Sequence, residues 1–180
     1  MKILLLAVVL FSSLQVYAAD VRSANWGMTL KEVKMSERTA FLDSSTKDSL
    51  NYMLKWNSFS TQLSYYFNAQ GKLNRIVFFI NEKRTKNDEY FTDFTKLFKA
   101  LKTEFGDNMI STFVWNKSAD MTKYKSYTDE TKKNLAGLYA GDGTLVNKWD
   151  KTRTEIWQML SFEKNGRCSH FVRYISKTIK

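Results

Sequence analysis

Cys168 and His170 stand one residue apart and are the only cysteine and the only histidine in the chain. On a β-strand this spacing puts both side chains on one face, with Cα atoms about 7 Å apart, as a thiolate–imidazole nucleophile pair would require. A zinc site needs three or four ligands, and no third ligand accompanies this pair, so both residues read first as strand packing. Serine hydrolase chemistry also needs a histidine, and the Gly-x-Ser-x-Gly elbow is missing. Gly141-Asp142-Gly143 lacks the flanking pattern of a phosphate-cradling loop and reads as a turn. The acidic pairs Asp88-Glu89 and Asp129-Glu130 fall at predicted helix starts, where the positive end of the helix dipole accounts for them without glycosidase chemistry. No catalytic residue, metal ligand or cofactor is assigned. A hydrolase built on an unrecognised acidic pair or on Cys168-His170 remains the rival reading.

The elements that would position these residues follow from hydrophobic spacing. Thr29 and Glu32 have capping-box spacing, which predicts a helix from about Leu30 to Ser36. Between Asp88 and Phe105 the residues Phe91, Phe94, Leu97, Phe98, Leu101 and Phe105 recur every three or four positions. Asp93, Lys96, Lys99 and Lys102 are assigned to the opposite face, Asn87 to the N-cap and Gly106 to the C-terminal stop. Strands are expected over 50–56, 61–67, 73–80, 110–115, 144–149, 154–162 and 169–175, from their aromatic and branched residues. Asn68-Ala69-Gln70-Gly71 and Asn165-Gly166 supply hairpin turns. The stretch from Lys117 to Ala140 is less regular, with a helix from a Thr128 cap to about Tyr139, ended by Gly141 or Gly143.

The two halves share a plan. Trp56 is followed at five, six and seven residues by Thr61, Gln62 and Leu63, and Trp149 at the same distances by Thr154, Glu155 and Ile156. Phe67, Gly71, Val77 and Ile80 match Phe162, Gly166, Val172 and Ile175 in spacing, with a hairpin two residues longer in the second half. The fold expected is α+β: two tandem α-β4 repeats with antiparallel sheet or sheets and helices on one face. Residues 20–86 form the first helix-plus-strands unit and 87–180 the second. In Thr154, Ile156, Gln158, Leu160 and Phe162 a covered face alternates with Glu155, Trp157, Met159 and Ser161 on a wetter one. An apolar patch there would mark an interaction site.

The segment Trp26-Gly27-Met28-Thr29-Leu30-Lys31-Glu32-Val33 resembles the opening helix of secreted modules of the beta-lactamase inhibitory protein type and of the small lipoprotein of the outer-membrane assembly machine. The inhibitory protein is also similar in layout, being a tandem of two helix-plus-four-strand units. The resemblance spans eight residues and implies a binding role on this fold. The disulfides of the inhibitor family cannot form here, because Cys168 is alone.

Lys2, the apolar run 3–11 and Ala18-Ala19 have the layout of a secretory signal peptide over residues 1–19. The run is about half the roughly 20 residues that span a bilayer, so no transmembrane anchor is expected after cleavage. Roughly 160 residues remain, enough for one domain or two small ones. The chain's thirteen Phe, nine Tyr and five Trp, all but Phe11 and Tyr17 outside residues 1–19, supply the core. An exported protein, periplasmic or secreted, is expected.

The formal charge is +10. It either maintains solubility or attracts an anionic partner: a protein, an envelope polymer or a lipid headgroup. Lys164, Arg167, Arg173, Lys177 and Lys180 end the chain without an intervening acid, and Lys72, Arg75, Lys83, Arg84 and Lys86, against the one acid Glu82, occupy the corresponding region of the first half. Strand-edge lysines also guard against sheet-to-sheet aggregation. Nucleic acid is disfavoured by export and by the absence of a ribonucleoprotein signature. The candidate binding residues are Trp157 and Met159 on the wetter face, with Lys83, Arg84, Lys164 and Arg167 steering the partner. The functional expectation is an exported, non-enzymatic binding protein; a structural envelope component without a specific ligand is a third reading.

Overall fold

A computed structural model of the protein describes residues 20–38 and 40–180. The signal segment read over residues 1–19 lies outside the described residues. Eight strands form one antiparallel sheet: β1 (Phe41–Ser45), β2 (Ser49–Trp56), β3 (Phe59–Phe67), β4 (Leu73–Ile80), β5 (Met109–Trp115), β6 (Gly143–Asp150), β7 (Thr154–Phe162) and β8 (Cys168–Ser176). Helices α1 (Leu30–Ser36), α2 (Asn87–Phe105) and α3 (Glu130–Tyr139), with a 3-10 turn at Met121–Tyr124, complete the described elements. The strand order is β1-β2-β3-β4-β8-β7-β6-β5. Four consecutive strands from each half thus meet at the β4–β8 pair, where Arg75 faces Ile175 and Phe79 faces Phe171.

Local chemistry accounts for the element ends. In α1 the Thr29 hydroxyl accepts from the Glu32 amide, and the Glu32 carboxylate accepts from the Thr29 amide at 2.7 Å. Upstream, Gly27 takes φ +86°, donates to the Leu73 carbonyl and lets Trp26 turn inward to donate its indole N–H to Thr154 Oγ1 at 2.8 Å. Asn87 does not cap α2; it lies within the first turn, and the Glu89 carboxylate accepts from the Thr85 and Lys86 amides instead. Gly106 ends the helix at φ +82° and ψ −179°, a region open in practice only to glycine. Asp129, not Thr128, caps α3 by accepting from the Thr131 and Lys132 amides. Gly141 follows that helix at φ +74°, while Gly143 already belongs to β6. A Cβ at Gly143 would stand 2.3 Å from the Phe113 ring, which explains why a glycine opens the strand.

Two elements differ from expectation for physical reasons. Strand β1 has no apolar alternation, since it is a five-residue edge strand with one half-buried residue and the rest exposed. Strand β3 starts at Phe59, because Asn57 and Ser58, at φ +49° and +70°, close a two-residue turn with positive φ at both positions. The β3–β4 and β7–β8 turns are bonded alike: Asn68 and Glu163 amides donate to the Lys72 and Arg167 carbonyls, and Gly71 and Gly166 amides close onto the Asn68 and Glu163 carbonyls. Since β3 and β7 both have nine residues, the counterpart of Thr154 by position is Phe59 and not Thr61.

The main core lies between the sheet and the helices and draws on both halves, from Leu50, Leu63, Ile76 and Phe78 to Leu97, Leu101, Trp149 and Ile156. A smaller cluster of Phe94, Leu138, Leu160 and Phe162 lies under α2 and α3. Gln158 bridges the two sides of this layer, donating to the Phe94 carbonyl of α2 and accepting from Asn147 of β6. The amphipathic reading of α2 places Asp93 wrongly: it is buried and takes the Arg84 Nε–H at 2.7 Å. No helix among the described residues is long and apolar enough to cross a membrane.

Candidate functional site

Cys168 and His170 share the helix-covered face of β8, as their spacing requires. His170 is buried against Phe94, with ring centroids 5.6 Å apart, and neither ring nitrogen has a hydrogen-bond partner. Burial lowers its pKa from the ordinary histidine value to about 3, and burial likewise raises that of the Cys168 thiol to about 12. A neutral thiol beside an enclosed imidazole has neither the thiolate nor the access that nucleophilic catalysis uses. Asp88 accepts from the Tyr139 hydroxyl at 2.6 Å, and Asp129 is committed to its cap. Asp142, in the glycine turn, accepts from the buried Tyr124 hydroxyl at 2.7 Å. Among the described residues no group of three or more His, Cys, Asp or Glu side chains is placed to hold a metal.

The opposite face of the sheet carries a different set of side chains. The strand residues of the core clusters, Tyr52, Leu63, Phe78, Trp149 and Ile156 among them, share the helix-covered face. Their strand neighbours point the other way. Across the strands, directly opposed pairs link Phe41 to Met53, Met53 to Gln62, Gln62 to Phe79, Phe79 to Phe171, Phe171 to Met159 and Met159 to Val146. Opposed side chains on an antiparallel sheet lie within contact reach, at about 5 Å between Cβ atoms, so this is one nearly continuous apolar row. It crosses strands from both halves of the chain.

A second row beside it is cationic and aromatic: Val77 faces Arg173, Arg173 faces Trp157, and Trp157 faces Lys148. Lys148 Nζ lies 4.7 Å and the Arg173 guanidinium 5.6 Å from the Trp157 ring. Lys148 also pairs with Glu155 at 3.3 Å, and the Trp157 indole N–H donates to the same carboxylate. Arg75 stacks on Tyr66, 4.2 Å from the ring centroid. Seven interstrand spacings make the face about 34 Å wide, and its central strands of eight or nine residues make it about 25 to 30 Å tall. Such an area accommodates the roughly 800 Å² per partner of an ordinary protein interface.

Trp157 and Met159 therefore stand on this face, half-buried, in adjoining rows. The four basic positions do not join them. Lys83 is exposed in the connection between β4 and α2, and Lys164 and Arg167 are exposed in the β7–β8 turn. Arg84 is tied to Asp93 and lies 3.7 Å from Glu82, so its charge is already matched. The arginines that do reach the face are Arg75 and Arg173, which the sequence reading grouped with the basic edges. Period-two alternation along β8, which turns Arg173 away from the side of Val172 and Tyr174, was the available signal; what it lacked was the pairing of β8 with β7 and β4.

Compared with family models, with curated proteins and with solved structures, the chain shows no significant match. The resemblance of Trp26 to Val33 to the opening helix of the secreted modules stands on those eight residues.

Proposed function

We propose that this protein is an exported, non-enzymatic binding module that docks an anionic partner on the open face of its sheet. The observation that carries the reading is the nearly continuous apolar row from Phe41 to Val146, flanked by Arg75, Arg173 and Trp157. Apart from buried Val146 the row is partly open to water and faces away from every helix among the described residues, and an apolar stretch of that extent is surface a protein gains nothing by exposing unless something covers it. Its composition, aromatic and methionine with arginine, is that of interface centres. The state of Cys168 and His170 weighs against the hydrolase reading.

The proposal includes a doubled α-β4 architecture, with units at 20–86 and 87–180. The strand order, symmetric about the β4–β8 pair, and the identically bonded β3–β4 and β7–β8 turns support it. The large insertion between β5 and β6, with the 3-10 turn and α3, has no counterpart between β1 and β2. Export through a signal peptide at 1–19 belongs to the same proposal and predicts a mature N-terminus at Ala19 or Asp20, read by N-terminal sequencing of the secreted product.

Cross-linking capture from the envelope fraction of the native cell, followed by mass spectrometry, tests the binding role. The wild type is expected to retain a partner that the Trp157→Ala and Met159→Ala variants lose. Equal capture by wild type and both variants would remove the open face from the proposal. Charge reversal at Lys83, Lys164 and Arg167 is expected to slow association at low salt and flatten its salt dependence; unchanged rates would remove the steering role of these rim cations.

A further inference from the structure

Arg75 and Arg173 border one hollow on the open face, about 210 Å³ in volume and completed by Tyr66, Val77, Phe79 and Phe171. Among the described residues neither arginine belongs to an ion pair, whereas Lys148 on the same face has Glu155. The Nε of Arg173 is buried without a hydrogen-bond partner, although a guanidinium offers five N–H donors. Burial, followed by the proximity of Arg75, lowers the pKa of Arg173, and Glu155 opposes the shift. Asp48, the acid that lines the adjoining hollow, is exposed at its border. A half-buried Arg173 with an orphaned donor, beside an exposed Arg75 and between aromatic walls, forms a site suited to an anion.

Resting on the open-face reading above, we infer that this hollow receives an aspartate or glutamate side chain of a partner protein, held by Arg75 and Arg173 while neighbouring apolar residues of the partner cover Phe79, Phe171 and Met159. A carboxylate matches the planar fork of a guanidinium. A protein is favoured over a lipid or polymer surface because the cations are arginines set among aromatic and methionine side chains and not a field of exposed lysines.

The test uses the full mature protein and short random peptides displayed on phage, selected for binding and then compared on Arg75→Gln, Arg173→Gln and Trp157→Ala variants. Selected peptides are expected to carry Asp or Glu beside an aromatic or aliphatic residue and to weaken at least about ten-fold, near 1.4 kcal/mol, on either arginine variant. Replacing the acid by its amide in the peptide should produce the same loss on the wild type and none on Arg75→Gln. Arg75 is exposed, so this variant keeps the test available should Arg173→Gln fold poorly. Peptides that depend on Trp157 but not on the arginines would overturn the carboxylate site and leave the open face standing. Peptides indifferent to all three would overturn both. Arginine-dependent binding to phosphatidylglycerol vesicles, without peptide binding, would overturn the choice of a protein partner.

Discussion

Trp149 and Trp157 lie on neighbouring strands and on opposite faces of one sheet. Trp149 is fully buried, donates its indole N–H to the Gly106 carbonyl at 2.9 Å, and packs against Phe98 and Phe105. Trp157 is half-buried, donates to Glu155 two residues away on its own strand, and lies beside two cations. One has its polar handle engaged at the end of a helix that it anchors; the other keeps its surface beyond local neighbours. The arginines divide in the same way. Arg84 neutralises buried Asp93 on the helix side, and Arg75 and Arg173 face outward without an ion pair among the described residues. Residue type is therefore a poor guide to role here. Which face of the sheet a side chain occupies separates those engaged in the core from those open to the proposed partner.

The comparison breaks most visibly at the tryptophans. Trp149→Ala should cost about 3 to 5 kcal/mol in urea unfolding, because it opens a large cavity and strands a helix-end carbonyl. Trp157→Ala should cost only about 1 kcal/mol, the worth of its contacts with Lys148 and Arg173. A comparable loss at both sites would show that the open face is part of the stability-bearing core.

Arg84→Gln comes next, at about 2 kcal/mol, since it leaves the Asp93 carboxylate buried with its charge-assisted bond gone. Asp93→Asn together with Arg84→Gln should recover part of that loss in a double-mutant cycle. Strict additivity would mean that the pair does not couple.

His170 sharpens the contrast through pH. Its folded pKa of about 3 lies below the unfolded value of 6.5, so between those values the unfolded chain binds the extra proton. Stability should fall as pH drops through this window, by at most about 1.4 kcal/mol per pH unit from this group, and should be unaffected by it above pH 6.5. Glu37 adds a change of the same sign at the acid end: burial raises its pKa, but hydrogen bonds from Arg22 and Tyr65 outweigh that and leave it lowered. His170→Leu should remove the upper part of the slope in chemical denaturation across pH 4 to 7. An unchanged slope would place the histidine in contact with water.

The smallest effect belongs to Arg75→Gln, whose stability change should stay within about 0.5 kcal/mol. A larger loss would make Arg75 structural and so blur its distinction from Arg84.

Much of the scaffold was legible along the chain. The capping box of α1, the apolar repeat of α2 and the alternation of β7 are local patterns, and each produced its element within a residue or two. Strand β1 was not legible, because an exposed edge strand needs no apolar alternation. Asp93 was misplaced because periodicity names a face without naming what arrives there, and Arg84, itself exposed, comes from the preceding connection to pair with it. Trp157 and Met159 were placed on the open face by parity alone, since adjacent strand residues alternate sides.

By itself, the order of residues determined the elements and the side of each strand that seeks the core, since helix and strand periods act over a few neighbours. It did not decide that β4 would pair with β8, joining residues about a hundred positions apart. That pairing is a long-range choice, made by burial of the shared core. It converts two sets of four strands into one sheet, extends the apolar row across both, and brings Arg75 and Arg173 to the same hollow.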